Sequence, residues 1–410
     1  MDCSSLLLGF ALLLSVTPAA GQAKACPDCD ARQETRLRAV TEEFTADIHS
    51  QKGMRCEGCH TGTVSQSGQG RTAPGKFVIQ RERIPQLCGS CHAVANRMKQ
   101  FDPSLRTDQL ALYRTSVHGI KLAHGDTRVA VCTDCHTVHS IRPPSDTRSS
   151  VHPLNIASTC KRCHSDADYM KPYHIATDQF ADYSDSVHHA ALVVNGDPSA
   201  PTCSTCHGSH GAAPVGVKSV ANVCGTCHVF QAKFFEESPH KQAFALMDLP
   251  SCLTCHTSHR IKHPDDSFMG TGPAAVCSNC HTKSEPAGQA ADGIHDRLRH
   301  LESDIAGAKS ILERAQSAGV DVTASQLELT QASEALTKAR VTLHTARLSR
   351  VDTDVDAGNK ITAKAFAAGV AALQERDNRR KAVLFPLVAI VALVISLGAY
   401  LREIERSKGG

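Results

Sequence analysis

The chain has 410 residues and a formal charge of +3, with no tryptophan, 5 tyrosines and 12 phenylalanines. That length admits two or three domains, but so thin a stock of large side chains excludes an ordinary aromatic-rich core for most of it. A near-neutral chain without a basic face also gives no footing for nucleic acid as a partner.

In chain order, the first element is an apolar run at residues 6–16, followed by Thr17-Pro-Ala-Ala-Gly-Gln-Ala23. Small residues there suit cleavage near Ala19 or Ala23, so 1–23 reads as a signal peptide, although no Lys or Arg precedes the run. Residues 24–43 hold Cys26-Pro-Asp-Cys29. In an exported chain this pair is expected as a local disulfide, with a metal site or a free redox pair as alternatives.

From residue 44 one pattern dominates. Cys-x-x-Cys-His occurs at Cys56/Cys59/His60, Cys88/Cys91/His92, Cys132/Cys135/His136 and Cys160/Cys163/His164. It recurs at Cys203/Cys206/His207, Cys224/Cys227/His228, Cys252/Cys255/His256 and Cys277/Cys280/His281. This is the attachment pattern of c-type haem. The two thiols add to the porphyrin vinyl groups, and the histidine sits under the iron as its proximal ligand. Zinc sites built from Cys-x-x-Cys pairs would need four ligands each, and would not explain a histidine after every second cysteine. Cys26 and Cys29 have the spacing but carry Asp30 in place of the histidine, so no ninth haem is assigned there. Eight covalently attached haems in 44–283 supply the apolar bulk that the composition lacks. The chain without haem is therefore not expected to fold, and the propionates are expected to make the surface acidic.

The motifs come in four pairs. Repeat two runs Tyr113-Arg-Thr-Ser-Val-His118, then Cys132 to His136 and His139, then Cys160 to His164. Repeat three places Tyr183, His188 and His210, and repeat four Phe235, His240 and His259, at the matching positions. Repeat one keeps Phe44 and His49, but Thr63 replaces the extra histidine. The recurrent histidines are the expected distal ligands. His139, His210 and His259 follow a proximal histidine by three residues, about one helical turn, so each is expected to ligate a neighbouring haem rather than its own. His49, His118, His188 and His240 precede their first motif by 7 to 15 residues, enough to loop over a distal face. Seven distal histidines for eight irons leave one gap, expected in repeat one at His92. His124, His152, His174, His189, His263, His295, His300 and His344 are available to fill it, or that iron has an open site. Bis-histidine ligation implies lower potentials than His/Met ligation.

These paired motifs, with an upstream Ser-x-His and a Cys-x-x-Cys-His-x-x-His, resemble the doubled-CXXCH multihaem cytochromes. More loosely they are similar to the cytochrome c3-like and periplasmic pentahaem and decahaem carriers. The resemblance covers about residues 44–283. It implies electron carriers with closely packed haems, and a fold of short helices and loops with little regular secondary structure.

Beyond residue 283 the composition turns to Ala, Leu and charged residues. Ile294, Leu298, Leu301, Ile305, Ala308 and Leu312 form one heptad seam, and Leu329, Ala332, Leu336, Ala339, Leu343 and Ala346 another. Gly319 is expected to end the first helix, and Thr323-Ala-Ser-Gln326 to start the second as a capping box. Gly358 and Asn359 are expected to break the chain before a third helix at 361–380. The result is a helical hairpin or bundle, 284–381, acting as a stalk or a homodimer contact. Residues 382–401 contain no charge and are long enough to span a bilayer. Haem attachment outside the cytoplasm orients this anchor in a bacterial inner membrane, with 402–410 as a cytoplasmic tail.

The functional expectation is an electron relay between redox proteins: a quinol-oxidising membrane complex, periplasmic cytochromes or a terminal reductase. The alternative is an octahaem oxidoreductase acting on a small nitrogen or sulfur oxyanion at one five-coordinate haem.

Overall fold

The computed structural model describes residues 31–60, 79–214 and 220–409. The signal segment, the Cys26/Cys29 pair and Thr63 lie outside the described residues. Among those described, every regular element is a helix or helical turn, and none is a strand.

Up to residue 285 the helices are short, and six of those described end at a motif histidine. The first motif of repeats two and three is its own five-residue helix, Cys132–His136 and Cys203–His207. In repeats one and two the second motif closes a longer helix, Ile84–His92 and Pro153–His164, each with proline in its first turn, where a missing N–H costs nothing. The apolar cluster buried in this part is small: Leu122, Val129 and Val131, with Ile84, Tyr113 and Tyr173 against them.

The repeats are held in register by polar contacts at matching positions. Tyr113 donates to the Ala130 carbonyl and Tyr183 to that of Pro201, each at 2.9 Å, and each two residues before a motif. The Ile48 N–H donates to the Ile141 carbonyl, and that of Val187 to Ile261. Each bond ties the start of a recurrent-histidine helix to the segment just past Cys-x-x-Cys-His-x-x-His in the next repeat. Arg81 bridges repeats one and two through the Asp134 carboxylate at 2.6 Å and the Val129 carbonyl at 2.9 Å.

The C-terminal third is a three-helix bundle of Pro286–Ser317, Thr323–Thr342 and the upper part of Leu348–Lys408. Its core has two layers. Ile294, Leu298, Leu301, Leu336, Ala339, Val351 and Val355 form the one nearer the haem-motif region, with Met269 of that region packed on it. Ala308, Ile311, Leu312, Ala315, Leu329, Ala332 and Ala365 form the other.

Three local expectations are corrected. Gly319, at φ +81°, does follow the first helix. The second helix, however, begins at Thr323 itself, whose N–H donates to the Asp321 carboxylate at 3.0 Å, so no capping box forms at Thr323. The second helix stops at Thr342, because Leu343–Thr345 tightens into a 3-10 turn and Ala346 is left-handed, although Leu343 of the expected seam still packs on the core. Nor does Gly358 break the chain. It lies inside the third helix, where an added Cβ would meet Leu301 Cδ2 at 2.8 Å and Ala335 Cβ at 3.3 Å. Its role is close helix approach, and Leu301 is fully buried and has nowhere to retreat. Gly358→Ala is therefore expected to lower the thermal stability of the bundle by about 1–3 kcal/mol.

The third helix continues without interruption past the bundle. Residues 382–401 are exposed along their whole length and hold the apolar stretch, whose mean hydropathy is 2.7. An uncovered helix of this length and composition is consistent with a single-pass membrane anchor.

Candidate cofactor-binding site

The upstream histidines sit in the first turn of short helices, and in repeats one to three a buried residue caps that turn through its side chain. Ser116 accepts the Gly119 N–H at 3.0 Å, and Ser186 that of His189 at 3.2 Å. Asp47 plays this part in repeat one: it accepts the His49 N–H at 2.8 Å and contacts His49 Nδ1 at 2.9 Å. Side-chain oxygens at an N-cap satisfy N–H groups the helix leaves open, which explains why Ser-x-His and Asp-x-His recur.

The x-x-His histidines are placed differently from a continuing helix. The motif helices end at the proximal histidine, and the next residue turns the chain at positive φ: Thr137 (65°, ψ −173°), Gly208 (77°, ψ 151°) and Thr257 (61°, ψ −172°). This backbone region belongs almost wholly to glycine. Releasing strain of about 1–3 kcal/mol at Thr137 outweighs the roughly 0.5–1 kcal/mol of added chain freedom. Thr137→Gly is thus expected to raise holoprotein stability by about 1 kcal/mol in denaturant or thermal unfolding.

These turns and caps bring the histidines together in pairs. Each motif histidine faces one second histidine ring: His60 with His139 at 6.3 Å between centroids, His92 with His49 at 5.8 Å, His136 with His210 at 6.0 Å, and His164 with His118 at 6.2 Å. The others are His207 with His259 at 5.9 Å, His228 with His188 at 6.3 Å, His256 with His344 at 6.2 Å, and His281 with His240 at 6.0 Å.

The spacing leaves room for one metal ion between the two rings of each pair. A metal–imidazole bond of about 2 Å and roughly 1.1 Å from nitrogen to ring centre put two trans imidazoles about 6.2 Å apart. A tetrahedral angle at zinc would bring them to about 5 Å. All eight pairs fall at the trans value, so the residues fit a six-coordinate haem iron.

The pairing follows one rule. The Ser-x-His or Asp-x-His histidine of each repeat faces the second motif of its own repeat. The x-x-His histidine faces the first motif of the preceding repeat. The gap expected at His92 is therefore misplaced, since His49 stands there. Repeat one needs no extra histidine at Thr63 because no earlier repeat precedes it. The first motif of repeat four, at His256, is the one with no following repeat, and the bundle turn supplies His344.

The remaining candidates make other contacts. His189 is edge-on to Tyr183 at 5.4 Å. His152 caps its helix through the Leu154 N–H, and His295 and His300 pair with Asp296 and Asp304. His124 and His174 occupy helix C-caps, and His263 lies near Asp265. Among the described residues none of these is a ring partner of a motif histidine.

Burial, reinforced by the partner imidazole, holds His92, His118, His207 and His256 below the usual imidazole range. Burial, with His210 and His92 adding, pushes His136 down to about 4. The neutral ring is the form that binds metal. Acceptors at Nδ1 orient three of the rings: Asp47 for His49, Glu285 for His281 and the Val341 carbonyl for His344. Such partners fix the tautomer that leaves Nε2 free for a metal.

The motifs also adjoin one another in chain order. Cys59 is an electrostatic neighbour of Cys88 and Cys91, Cys135 of Cys163, Cys206 of Cys224 and Cys227, and Cys255 of Cys277 and Cys280. At the junctions between them, Cys88 lies against Cys132, Cys160 against Cys203, and Cys224 against Cys252. Order in the sequence is thus order in space, with two kinds of junction alternating.

A cytochrome c3 family model matches residues 48–165, the stretch holding the first four motifs with His49, His118 and His139. The match supports a multihaem c-type cytochrome, an electron-transfer protein with covalently bound haem c. No curated protein and no solved structure matches the chain.

Proposed function

We propose that the chain is an octahaem electron relay, anchored in the bacterial inner membrane by residues 382–401 with its haem region in the periplasm. The observation that carries this reading is the set of eight histidine pairs at trans spacing, strung in chain order. Each haem, when attached, supplies a one-electron ferric/ferrous couple whose potential is set by its axial ligands, burial and hydrogen bonding. The sixteen motif cysteines hold the eight groups. The motif histidines are the proximal ligands, and His49, His118, His139, His188, His210, His240 and His259 are distal ligands. Because each x-x-His histidine comes from the following repeat, ligation clips consecutive repeats together. Proximal and distal histidines on one iron also leave no position for substrate, as suits a carrier.

The third bundle helix supports a fixed spacing from the membrane. From Leu348 to residue 382 it is unbroken, which at about 1.5 Å per residue is about 50 Å. A haem region at the top of this post favours partners that reach into the periplasm: the periplasmic arm of a quinol-oxidising complex, a soluble cytochrome or a reductase. No observation favours the oxyanion-converting alternative, since the haem at His92, its candidate open site, has His49 opposite.

The test is the covalent haem content and redox titration of the exported protein. Eight haems per chain titrating at low potential are expected. Fewer haems, or zinc in their place, would overturn the reading.

A further inference from the structure

We infer that His344, on the turn between the second and third bundle helices, is the distal ligand of the haem attached at Cys252 and Cys255. The bundle is then part of the cofactor framework rather than a passive spacer. This rests on the octahaem reading above and extends it outside the motif-bearing region.

Four observations converge. The ring of His344 faces that of His256 at 6.2 Å with planes 22° apart, within the range of the seven other pairs. Its Nδ1 lies 2.9 Å from the Val341 carbonyl, so Nδ1 carries the proton and Nε2 keeps its lone pair for a metal. The pairing rule leaves the first motif of repeat four without a donor from a following repeat, and His344 fills that vacant place in the series.

Finally, the turn is pinned to the haem-motif region from several sides. Arg340, one helical turn before His344, makes paired bonds of 2.9 and 2.8 Å to the buried Asp266 carboxylate. Arg350, just beyond the turn, approaches Glu237 at 3.7 Å. The helix Val229–Glu236 packs against the turn itself, and Phe268 stacks on His256 at 5.6 Å. A surface histidine on a loose connection would have none of these constraints.

The experiment uses the full-length holoprotein, its His344→Ala and His344→Met variants, and His300→Ala as a control on an exposed bundle histidine. The readouts are haem content, low-temperature EPR of the oxidised protein and redox titration. The wild type is expected to show eight low-spin haems. His344→Ala should keep eight haems, turn one of them high-spin, and return it to low spin on addition of imidazole. His344→Met should shift the potential of one haem upward, as exchange of histidine for methionine does. His300→Ala should change nothing. The inference is overturned if His344→Ala stays fully low-spin, if His344→Met leaves every potential in place, if His300→Ala gives the same change, or if one of eight wild-type haems is already high-spin. A wild-type content below eight haems overturns the parent reading, and the inference with it.

Discussion

Serine at both Cys203 and Cys206 is expected to remove one haem and to split the remaining seven into two groups that no longer exchange electrons within the molecule. The fifth motif is bounded by the fourth, through Cys160 against Cys203, and by the sixth, through Cys206 beside Cys224 and Cys227. Motifs adjoin in chain order, so losing a central one leaves a gap. Losing the last one, through serine at Cys277 and Cys280, also removes one haem but leaves seven in an unbroken row. With each protein held on an electrode beside the eighth motif, through the exposed Lys283, the wild type should charge eight haems in one fast phase. The terminal variant should charge seven and the central variant only the three nearest the bundle. A central variant that still charges seven as fast as the terminal one would mean that electrons bypass the row.

The Cys-x-x-Cys-His motifs are legible in the sequence because haem c attachment would need two thiols for the thioethers and an iron-ligating histidine within five residues. The recurrent histidines are legible as a repeated set, but not as partners. His139 is three residues from His136, yet its ring faces His60, because Thr137 turns the chain into a backbone region that residue type does not announce. The expected gap at His92 arose from reading each repeat as self-contained. The histidines are offset by one repeat, and that offset becomes visible only when residues 79 and 74 apart meet, as His60 does with His139 and His136 with His210, while nothing in the spacing points from His256 to His344, 88 residues on. In the bundle, heptad spacing located the core from Ile294 to Leu312, whereas Gly358 was misread. A glycine that ends a helix and one that lets two helices touch are identical in a single sequence, and Leu301 opposite it is what separates them.

Full-length chain produced without haem attachment is expected to lose the structure of residues 44–283 while keeping the helices of the bundle. The argument rests on where apolar surface finds cover. In the bundle Leu298, Leu301, Leu312, Val351 and Val355 are completely buried, chiefly against one another. Among the described residues of the haem-motif region the buried apolar cluster is three residues, with Met98, Met170, Leu192 and Phe244 buried outside it, while Val117, Val194, Phe230 and Leu246 are 59, 78, 67 and 81% exposed. Burial of about 25 cal/mol per Å² from so few side chains does not offset the roughly 1–2 kcal/mol per residue of backbone ordering, so the porphyrin faces must supply the rest. The bundle's own core does not depend on them, although it loses whatever support the Arg340–Asp266 pair and His344 give it. Limited trypsin digestion of the haem-free chain should destroy the region before residue 283 and leave a resistant helical fragment starting near Pro286. The holoprotein should resist on both sides of that boundary. Survival of residues 79–214 without haem would show that the polypeptide alone carries that fold.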